Sequence, residues 1–172
     1  MKYLLISDTH GELEKTKKII EKHPNLDGYF HLGDIGFDVQ YLENFYIVKG
    51  NHDKNLDFPK ESILNLGKYR VLCIHGDCMD NEITKYIENI SNVEQDIVMQ
   101  KVFQMFYDKL SLYVKSKKCD LVFFGHTHVK CFAKWNNVFL INPGSICFGV
   151  SGVTYAIVSI DKKRIDVNFI NI

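Results

Sequence analysis

Short apolar runs separated by polar segments are the main pattern in the first third of the chain. The run KYLLIS at residues 2–7 predicts a buried strand, and ELEKTKKIIEKH at 12–23 then places apolar residues at helical spacing until Pro24. Two more apolar runs, GYFHL at 28–32 and FYIVK at 45–49, predict further strands. A strand, a helix and then more strands indicate an α/β fold.

Five further apolar runs predict strands in the rest of the chain. They are YRVLCIH (69–75), DLVFFGH (120–126), NVFLIN (137–142), TYAIVSI (154–160) and RIDVNFI (164–170). Two pairs of residues between them, Asn136-Asn137 and Asp161-Lys162, are typical of turns. We therefore expect antiparallel strands in the last part of the chain.

Apolar residues at helical spacing predict a pair of helices over residues 81–117. The first helix is marked by Ile83, Tyr86, Ile87 and Ile90. The second is expected to begin at Ser91-Asn92-Val93-Glu94, which has the S-x-x-E form of a capping box. Its apolar stripe consists of Met99, Val102, Phe103, Phe106, Tyr107, Leu110 and Val114. We interpret this stripe as core or interface rather than as a cofactor site.

Composition places the chain among ordinary folded proteins and limits its partners. Its 172 residues fit a single domain, 1–172, that can bury a core without disulfides or a structural metal. Apolar residues make up 46% and charged residues 24%. The 21 basic and 21 acidic residues cancel, so there is no general electrostatic attraction for nucleic acid or an anionic membrane. Any affinity for phosphate must come from a local site.

The cysteines and the first residues indicate a cytoplasmic protein. The five cysteines are scattered and form no C-x-x-C pair, which argues against a disulfide framework and against a thiolate zinc site. The opening MKYLLISDTH lacks the long apolar region of a signal peptide, and no apolar stretch approaches membrane-spanning length.

Aspartate, asparagine and histidine gather where the predicted strands end. The five strand ends carry Asp8-Thr9-His10, Gly33-Asp34, Gly50-Asn51-His52-Asp53, His75-Gly76 and Gly125-His126-Thr127-His128. Each motif alone fits a polar turn. However, five of the seven histidines lie at these ends, which turn preference does not explain. We interpret the other two, His23 and His31, as structural. Since the carboxyl ends of parallel strands open onto one crevice, the five motifs are expected to converge.

The residue types at these ends indicate a site for two metal ions. About seven donors are available, too many for one tetrahedral ion. They are Asp8, His10, Asp34, Asn51, His75, His126 and His128. Imidazole and carboxylate without thiolate suit manganese, iron, zinc or cobalt, and nickel is a further alternative. The ligand types do not choose among these ions, and manganese is our first choice. Residues two apart in an extended segment point to the same side, so His126 and His128 can address two ions roughly 4 Å apart.

The charge of such a site indicates its substrate, and other enzyme classes fit less well. Two divalent ions, two aspartates and a bridging hydroxide leave a charge near plus one, which favours an anionic phosphate ester. His10 stands where a haloacid-dehalogenase-type phosphatase needs its second aspartate. Neither a phosphate-binding G-x-x-x-x-G-K-[ST] loop nor a G-x-S-x-G elbow is present. We interpret NPGSI at 142–146 as a tight turn whose backbone approaches the site, and Cys78 as an incidental thiol.

The ordered motifs DTH, GD, GNHD, HG and GHTH resemble those of the calcineurin-like metallophosphoesterase superfamily. The resemblance spans residues 8–145 and is closest to the compact single-domain members, which are small bacterial and archaeal phosphodiesterases and the retromer-subunit fold. It implies a two-sheet β-sandwich flanked by helices in four αββα layers. The helical segment near 81–117 is then an insertion that could cover the site, dimerise or bind a partner.

The same resemblance implies a role for each motif residue. One metal ion would be held by Asp8, His10, Asp34 and His128, and the other by Asp34, Asn51, His75 and His126, with Asp34 bridging. His52 matches the general acid or phosphate-contacting histidine of the family, and Asp53 matches the carboxylate that orients it. The compact phosphodiesterases often carry cysteine where His52 stands, so this chain has a possible proton donor that they lack.

The resulting hypothesis is a hydrolase of small phosphate esters, phosphodiesters favoured, in which a metal-bridging hydroxide attacks in line and His52 protonates the leaving oxygen. Two alternatives stay open. One is a phosphomonoesterase. The other is a non-catalytic protein-interaction scaffold of the same fold, as in the retromer branch.

Overall fold

The structure is a computed structural model and describes residues 1–88, 94–150 and 152–172. In these ranges the chain forms ten strands and three α-helices. The strands are β1 (Lys2–Ile6), β2 (Gly28–His31), β3 (Phe45–Ile47), β4 (Glu61–Leu66), β5 (Tyr69–Ile74), β6 (Leu121–Phe124), β7 (Cys131–Trp135), β8 (Val138–Asn142), β9 (Thr154–Ile160) and β10 (Ile165–Asn171). The helices are α1 (Leu13–Lys22), α2 (Asp80–Glu88) and α3 (Gln95–Ser116).

The first sheet has the order β10-β9-β1-β2-β3. Its strands β1, β2 and β3 are parallel, with Tyr3 opposite Gly28 and Tyr29 opposite Phe45. The strands β9 and β10 complete it in antiparallel pairing. Because β1, β2 and β3 run in one direction, the loops that follow them leave the sheet at the same end.

The second sheet has the order β4-β5-β6-β8-β7. Its three central strands, β5, β6 and β8, are parallel, and β4 and β7 pair antiparallel at its two edges. Because β5 and β6 are parallel, their carboxyl ends lie at the same end of the sheet. The predicted antiparallel character of the last part is correct for β9 and β10, whereas β8 also pairs parallel with β6.

Three apolar clusters separate four layers. The cluster between the sheets includes Phe30 and Phe123, whose rings meet edge to face at 5.3 Å between centroids. Helix α1 covers the outer face of the first sheet through Ile19. Helix α3 covers the outer face of the second sheet through Phe106 and Leu110. This arrangement confirms the αββα sandwich and the helices predicted near 81–117.

The sequence pattern missed two strands and placed one helix start outside the described residues. Both missed strands, β4 and β7, are edge strands in which burial is incomplete, so they show no continuous apolar run. Helix α3 begins at Gln95, with Glu94 at its N-cap position, and Ile90 and the first three residues of the predicted capping box lie outside the described ranges. No helix in those ranges combines the length and the apolarity needed to cross a membrane.

Helix α3 should depend on Leu110 for its attachment to the second sheet. Leu110 is fully buried, whereas Leu112 on the same helix is 61% exposed. We expect Leu110→Ala to lower the free energy of unfolding by about 2–5 kcal/mol, because it removes buried methyl groups and leaves a cavity. Leu112→Ala, the matched control, should change it by less than about 0.5 kcal/mol. Urea denaturation followed by circular dichroism measures both, and equal losses would contradict this packing.

Candidate metal centre

The loops that follow β1, β2, β3, β5 and β6 bring the predicted donors together at one end of the sandwich. Two sheets contribute, since β1, β2 and β3 belong to the first sheet and β5 and β6 to the second. Across the sheets, His128 Nε2 lies 3.1 Å from Asp8 Oδ1, and His75 Nε2 lies 3.4 Å from Asp34 Oδ2. The expected convergence of the five motifs is therefore present, and it occurs between two sheets rather than along one.

One group of donors consists of Asp8, His10 and His128, whose ligand atoms all lie within 4.8 Å of one another. The ring nitrogens His10 Nε2 and His128 Nε2 are 3.3 Å apart. His10 Nε2 is also 3.8 Å from Asp34 Oδ2. Asp34 is thus at the border of this group, as a shared ligand would be.

A second group consists of Asp8, Asp34 and His75, and all three side chains are buried. Asn51 Oδ1 lies 3.2 Å from His75 Nε2, which adds an amide at the solvent side of the group. Asp34 Oδ2 lies within 4 Å of both His10 Nε2 and His75 Nε2. Six of the seven predicted metal ligands therefore meet in two adjoining groups.

Hydrogen bonds made by Nδ1 fix which ring nitrogen of His75 and of His128 faces the centre. His128 Nδ1 is 3.0 Å from the Phe148 carbonyl, and His75 Nδ1 is 2.7 Å from the Leu32 carbonyl. A carbonyl only accepts, so each Nδ1 carries a hydrogen, and each neutral ring directs the lone pair of Nε2 inward. The buried Asp8 Oδ1, which these nitrogens face, has no hydrogen-bond partner among the described residues. Converging lone pairs and a buried carboxylate oxygen fit divalent cations.

The close contacts between carboxylates and imidazoles also shift the pKa values of the residues in the centre. Burial disfavours a charge on His75, but the hydrogen bond to Asp34 and the charges of Asp8 and Asp34 raise the pKa of His75 to about 9. The adjacent Asp8 carboxylate, which favours the charged form of the ring, raises the pKa of His128. Burial opposes ionisation of Asp34 as well, yet the hydrogen bond and charge of His75 lower the pKa of Asp34 to about 2. The cluster therefore attracts positive charge, which a proton or a metal ion can supply.

The backbone at the donors adopts left-handed conformations. Non-glycine residues rarely have positive φ, and each costs on the order of 1–3 kcal/mol. Five of the predicted ligands have φ between 42° and 66°: Asp8, His10, Asp34, His126 and His128. This strain lies at the metal centre, which is where a functional requirement would maintain it.

Two motif glycines allow the backbone to approach the carboxylates. A Cβ atom on Gly50 would lie 2.1 Å from Asp34 Oδ1, and one on Gly125 would lie 2.9 Å from Asp8 Oδ2 and 2.0 Å from Ser7 Oγ. No side chain fits at either position. The glycines of GNHD and GHTH are therefore needed for close packing around Asp8 and Asp34.

His126 is the predicted ligand that lies apart from the two groups. Its ring packs edge to face against His75 at 5.1 Å between centroids, but its Nε2 contacts both carboxylate oxygens of Asp80, at 2.8 and 3.0 Å. The extended segment expected for the two histidines is wrong, because His126 and His128 are both left-handed and Thr127 N bonds to the Gly125 carbonyl. The two rings therefore diverge. The Asp80 carboxylate accepts a hydrogen bond from Nε2–H of His126. In the neutral ring, the unprotonated Nδ1 is then the nitrogen that can bind a metal ion.

The GNHD loop separates the two predicted catalytic residues. His52 is exposed at the edge of the centre, with Nε2 3.9 Å from Asp34 Oδ2 and its backbone amide donating to Asp34 Oδ1. Asp53 is buried and accepts hydrogen bonds from the backbone amides of Asp34, Ile35 and Gly50. Among the described contacts it makes none with the His52 ring. The expectation that Asp53 orients His52 is therefore corrected: Asp53 ties the GNHD loop to the GD loop.

The sequence interpretation missed Asp80 and Phe148. Asp80 begins α2 just after the HG motif, and its alignment with His126 depends on how that helix packs. The Phe148 ring lies 4.5 Å from the His128 ring. A signal for this segment was present in NPGSI, whose backbone approaches the site as predicted, because the Ile146 amide donates to the Ser7 carbonyl and the next amide, of Cys147, donates to the Asp8 carbonyl.

The two histidines interpreted as structural lie outside the centre. His31 is fully buried and contacts Thr9 Oγ1 through Nε2 at 3.0 Å, while its Nδ1 accepts from the Gly33 amide. Burial lowers the pKa of His31 to about 4. His23 contacts the hydroxyl of Tyr155 at 2.9 Å.

Two curated relatives match nearly the whole chain. The "Probable metallophosphoesterase YsnB" of Bacillus subtilis (strain 168) is 28% identical over 176 residues, which cover 98% of this chain and 90% of that protein. The "Phosphodiesterase MJ0936" of Methanocaldococcus jannaschii is 28% identical over 173 residues, with 95% and 96% covered.

Solved structures share the fold at lower identity. A predicted phosphoesterase from Streptococcus pneumoniae TIGR4 superposes with a TM-score of 0.77 and 23% identity, covering 99% of this chain and 88% of the other. A single mutant of Vps29 from Entamoeba histolytica superposes with a TM-score of 0.64 and 14% identity, covering 100% and 99%.

The family model of the calcineurin-like phosphoesterase superfamily domain matches residues 1–163. With its sandwich fold and its converging Asp and His loops, the chain belongs to the calcineurin-like phosphoesterase superfamily.

Proposed function

We propose that this protein hydrolyses phosphodiesters at a centre of two divalent metal ions. One observation carries the proposal: Asp8 Oδ1 is buried without a hydrogen-bond partner among the described residues, and the Nε2 atoms of His75 and His128 face it. Membership of a phosphoesterase family supports hydrolysis of phosphate esters. The name "Phosphodiesterase" of the Methanocaldococcus jannaschii relative supports the preference for diesters.

Each ion would be held by donors from both sheets. Asp8, His10 and His128 would hold one ion, with Asp34 as the shared ligand. Asp34 and His75 would hold the other, with Asn51 and the Nδ1 atom of His126 completing the set. Nitrogen and oxygen donors of this kind suit manganese, iron or zinc, and manganese is our first choice. When bound, such ions supply Lewis acidity and a nucleophile at neutral pH.

The charge of the chain's own residues favours an anionic substrate. Two carboxylates, Asp8 and Asp34, neutralise only part of the charge of two divalent ions, and the remaining donors are neutral. A phosphodiester carries one negative charge at neutral pH, so a weakly positive centre attracts it. The zero net charge of the whole chain adds no further steering.

His52 lies in a suitable place to protonate the leaving oxygen. Its side chain is exposed beside Asp34, and its ring meets the His10 ring edge to face at 5.3 Å between centroids. The backbone amide of His52 donates to Asp34 Oδ1, which fixes the loop relative to the donors. An exposed imidazole at the edge of the centre can reach an ester oxygen of a bound substrate without being a metal ligand.

A substrate panel tests the proposed activity. With manganese present, we expect the full chain to hydrolyse a bis-aryl phosphate faster than an aryl phosphate, as the name of the Methanocaldococcus jannaschii relative suggests. EDTA should abolish both activities, since it removes the ions. Product absorbance measures the rates, and metal analysis of protein purified without chelator should find about two transition ions per chain.

The outcomes of that panel separate the alternatives. A faster aryl phosphate reaction would favour a phosphomonoesterase over a diesterase. Fewer than one ion per chain, together with no hydrolysis after manganese is added, would overturn the enzyme proposal. A scaffold for protein contacts would then be the better interpretation.

Replacing His52 tests the proton donor. We expect His52→Ala to keep the metal content of the parent protein, because six other donors form the two groups. Its turnover should fall by about 10²–10⁴-fold on an alkyl phosphate ester, whose poor leaving group needs a proton, and by less on an aryl ester. Initial rates on the two esters measure the difference. An unchanged rate on the alkyl ester would remove His52 from this role.

Replacing Asp80 tests the positioning of His126. We expect Asp80→Ala to weaken the binding of the second ion by about 10–100-fold, because the His126 ring loses the partner that fixes its proton and its orientation. Titration with manganese, followed by electron paramagnetic resonance, counts tight sites per chain. Asp77→Ala, three residues earlier, is the matched control and should keep two sites. Two tight sites in Asp80→Ala would contradict the assignment.

A further inference from the structure

An apolar cleft opens beside the metal centre. Its volume is about 650 Å³, and its floor is the segment His126–Val129. One wall is formed by Met99 and Phe103 of α3, and the other by Phe148 and Val150. Clefts of about 300–1,000 Å³ accommodate small ligands. Because His128 belongs both to the floor and to the donor group, the cleft adjoins the centre, within reach of a substituent on a phosphate held there.

The charge of the cleft limits what that substituent can be. Among the described residues that line it, none is Asp, Glu, Lys or Arg. Apart from the two histidines of the centre, the described lining offers no charged partner to a second phosphate or a carboxylate. The group that fits is uncharged and largely apolar.

Phe148 favours a planar group. Its ring is 61% exposed, yet three contacts hold it in place. The ring lies 4.5 Å from the His128 ring and is stacked at 6.0 Å on the His10 ring, both between centroids, and the Phe148 carbonyl accepts from His128 Nδ1. An exposed aromatic face held in a fixed position is suited to stacking against a second flat ring.

We propose that this cleft binds an uncharged aromatic group attached to the phosphate, so that the substrates are aromatic phosphate esters. This inference rests on the proposed phosphoesterase function and names its substrate class. Helix α3 contributes to the cleft as well as to the core. Phe103 faces the cleft, whereas Phe106 and Leu110 are buried against the second sheet.

Two non-hydrolysable anions test the cleft. Phenylphosphonate and methylphosphonate share the phosphonate group and differ in the apolar group alone, so leaving-group reactivity has no influence. Calorimetry on the full chain loaded with manganese measures both Kd values. We expect phenylphosphonate to bind about tenfold more tightly than methylphosphonate. EDTA should abolish the binding of both anions.

Variants on the two walls locate the preference. Phe148→Ala and Phe103→Ala should each bring the two affinities close together, and Phe103→Ala should leave the Kd of methylphosphonate unchanged. Phe132→Ala is the matched control, since Phe132 is an exposed phenylalanine on β7 that does not line the cleft, and it should keep the tenfold preference. Circular dichroism checks that each variant is folded.

Two kinds of failure are distinguishable. Equal affinities in the unmodified protein, or a preference that survives either wall substitution, would overturn the cleft inference and leave the phosphoesterase proposal standing. If the manganese-loaded protein bound neither anion, the cleft inference would be overturned as well, whereas the phosphoesterase proposal is decided separately by the metal content and the rates of the substrate panel.

Discussion

A buried carboxylate at the end of the first strand is the constraint on which the rest of the site depends. Asp8 is fully buried, its Oδ2 accepts from the His126 amide, and its Oδ1 faces ring nitrogens. Burying an ionised carboxylate costs several kcal/mol unless positive charge and hydrogen bonds compensate it. His10, His75 and His128 lie beside Asp8, and a charged ring or a metal ion held by these donors would supply that compensation. The motifs that carry these residues therefore act together to stabilise a buried negative charge.

The sandwich fold stabilises the strained backbone conformations of the donor residues. Asp8, Asp34 and His128 keep left-handed backbones that a short peptide would not retain. Each is fixed by bonds to another loop: the Asp8 amide donates to the Gly33 carbonyl, the Asp34 amide donates to Asp53, and His128 Nδ1 donates to the Phe148 carbonyl. The apolar core between the two sheets fixes the strands from which these loops start. Stability of the fold and geometry of the centre are therefore linked.

The sequence allowed the fold class and most of the donors to be predicted, because both follow from strand positions. The carboxyl ends of parallel strands lie at the same end of a sheet, so Asp8 and Asp34, which follow β1 and β2, could be expected to meet from the sequence alone. The edge strand β7 was not found, since Lys134 interrupts its short apolar segment, and its residues alternate between buried and more exposed positions.

Contacts made by side chains across separate elements were equally beyond the sequence pattern. The alignment of Asp80 with His126 depends on the packing of α2. The role of Asp53 was misjudged for the same reason, because neighbours in sequence, His52 and Asp53, face different surroundings.

Helix α3 shows how the metal centre and the substrate preference can be separated within one small domain. Its buried face, with Phe106 and Leu110, packs on the second sheet and belongs to the fold. Its Phe103 and Met99 lie at the cleft, and neither belongs to the described donor groups. In the proposed function, the strand ends determine which chemical group is attacked, whereas helix α3, outside the sheets, contributes to the choice of the group attached to the phosphate. Substitutions at the cleft face of α3 can therefore alter the ester preference while Asp8 and its donors keep their positions.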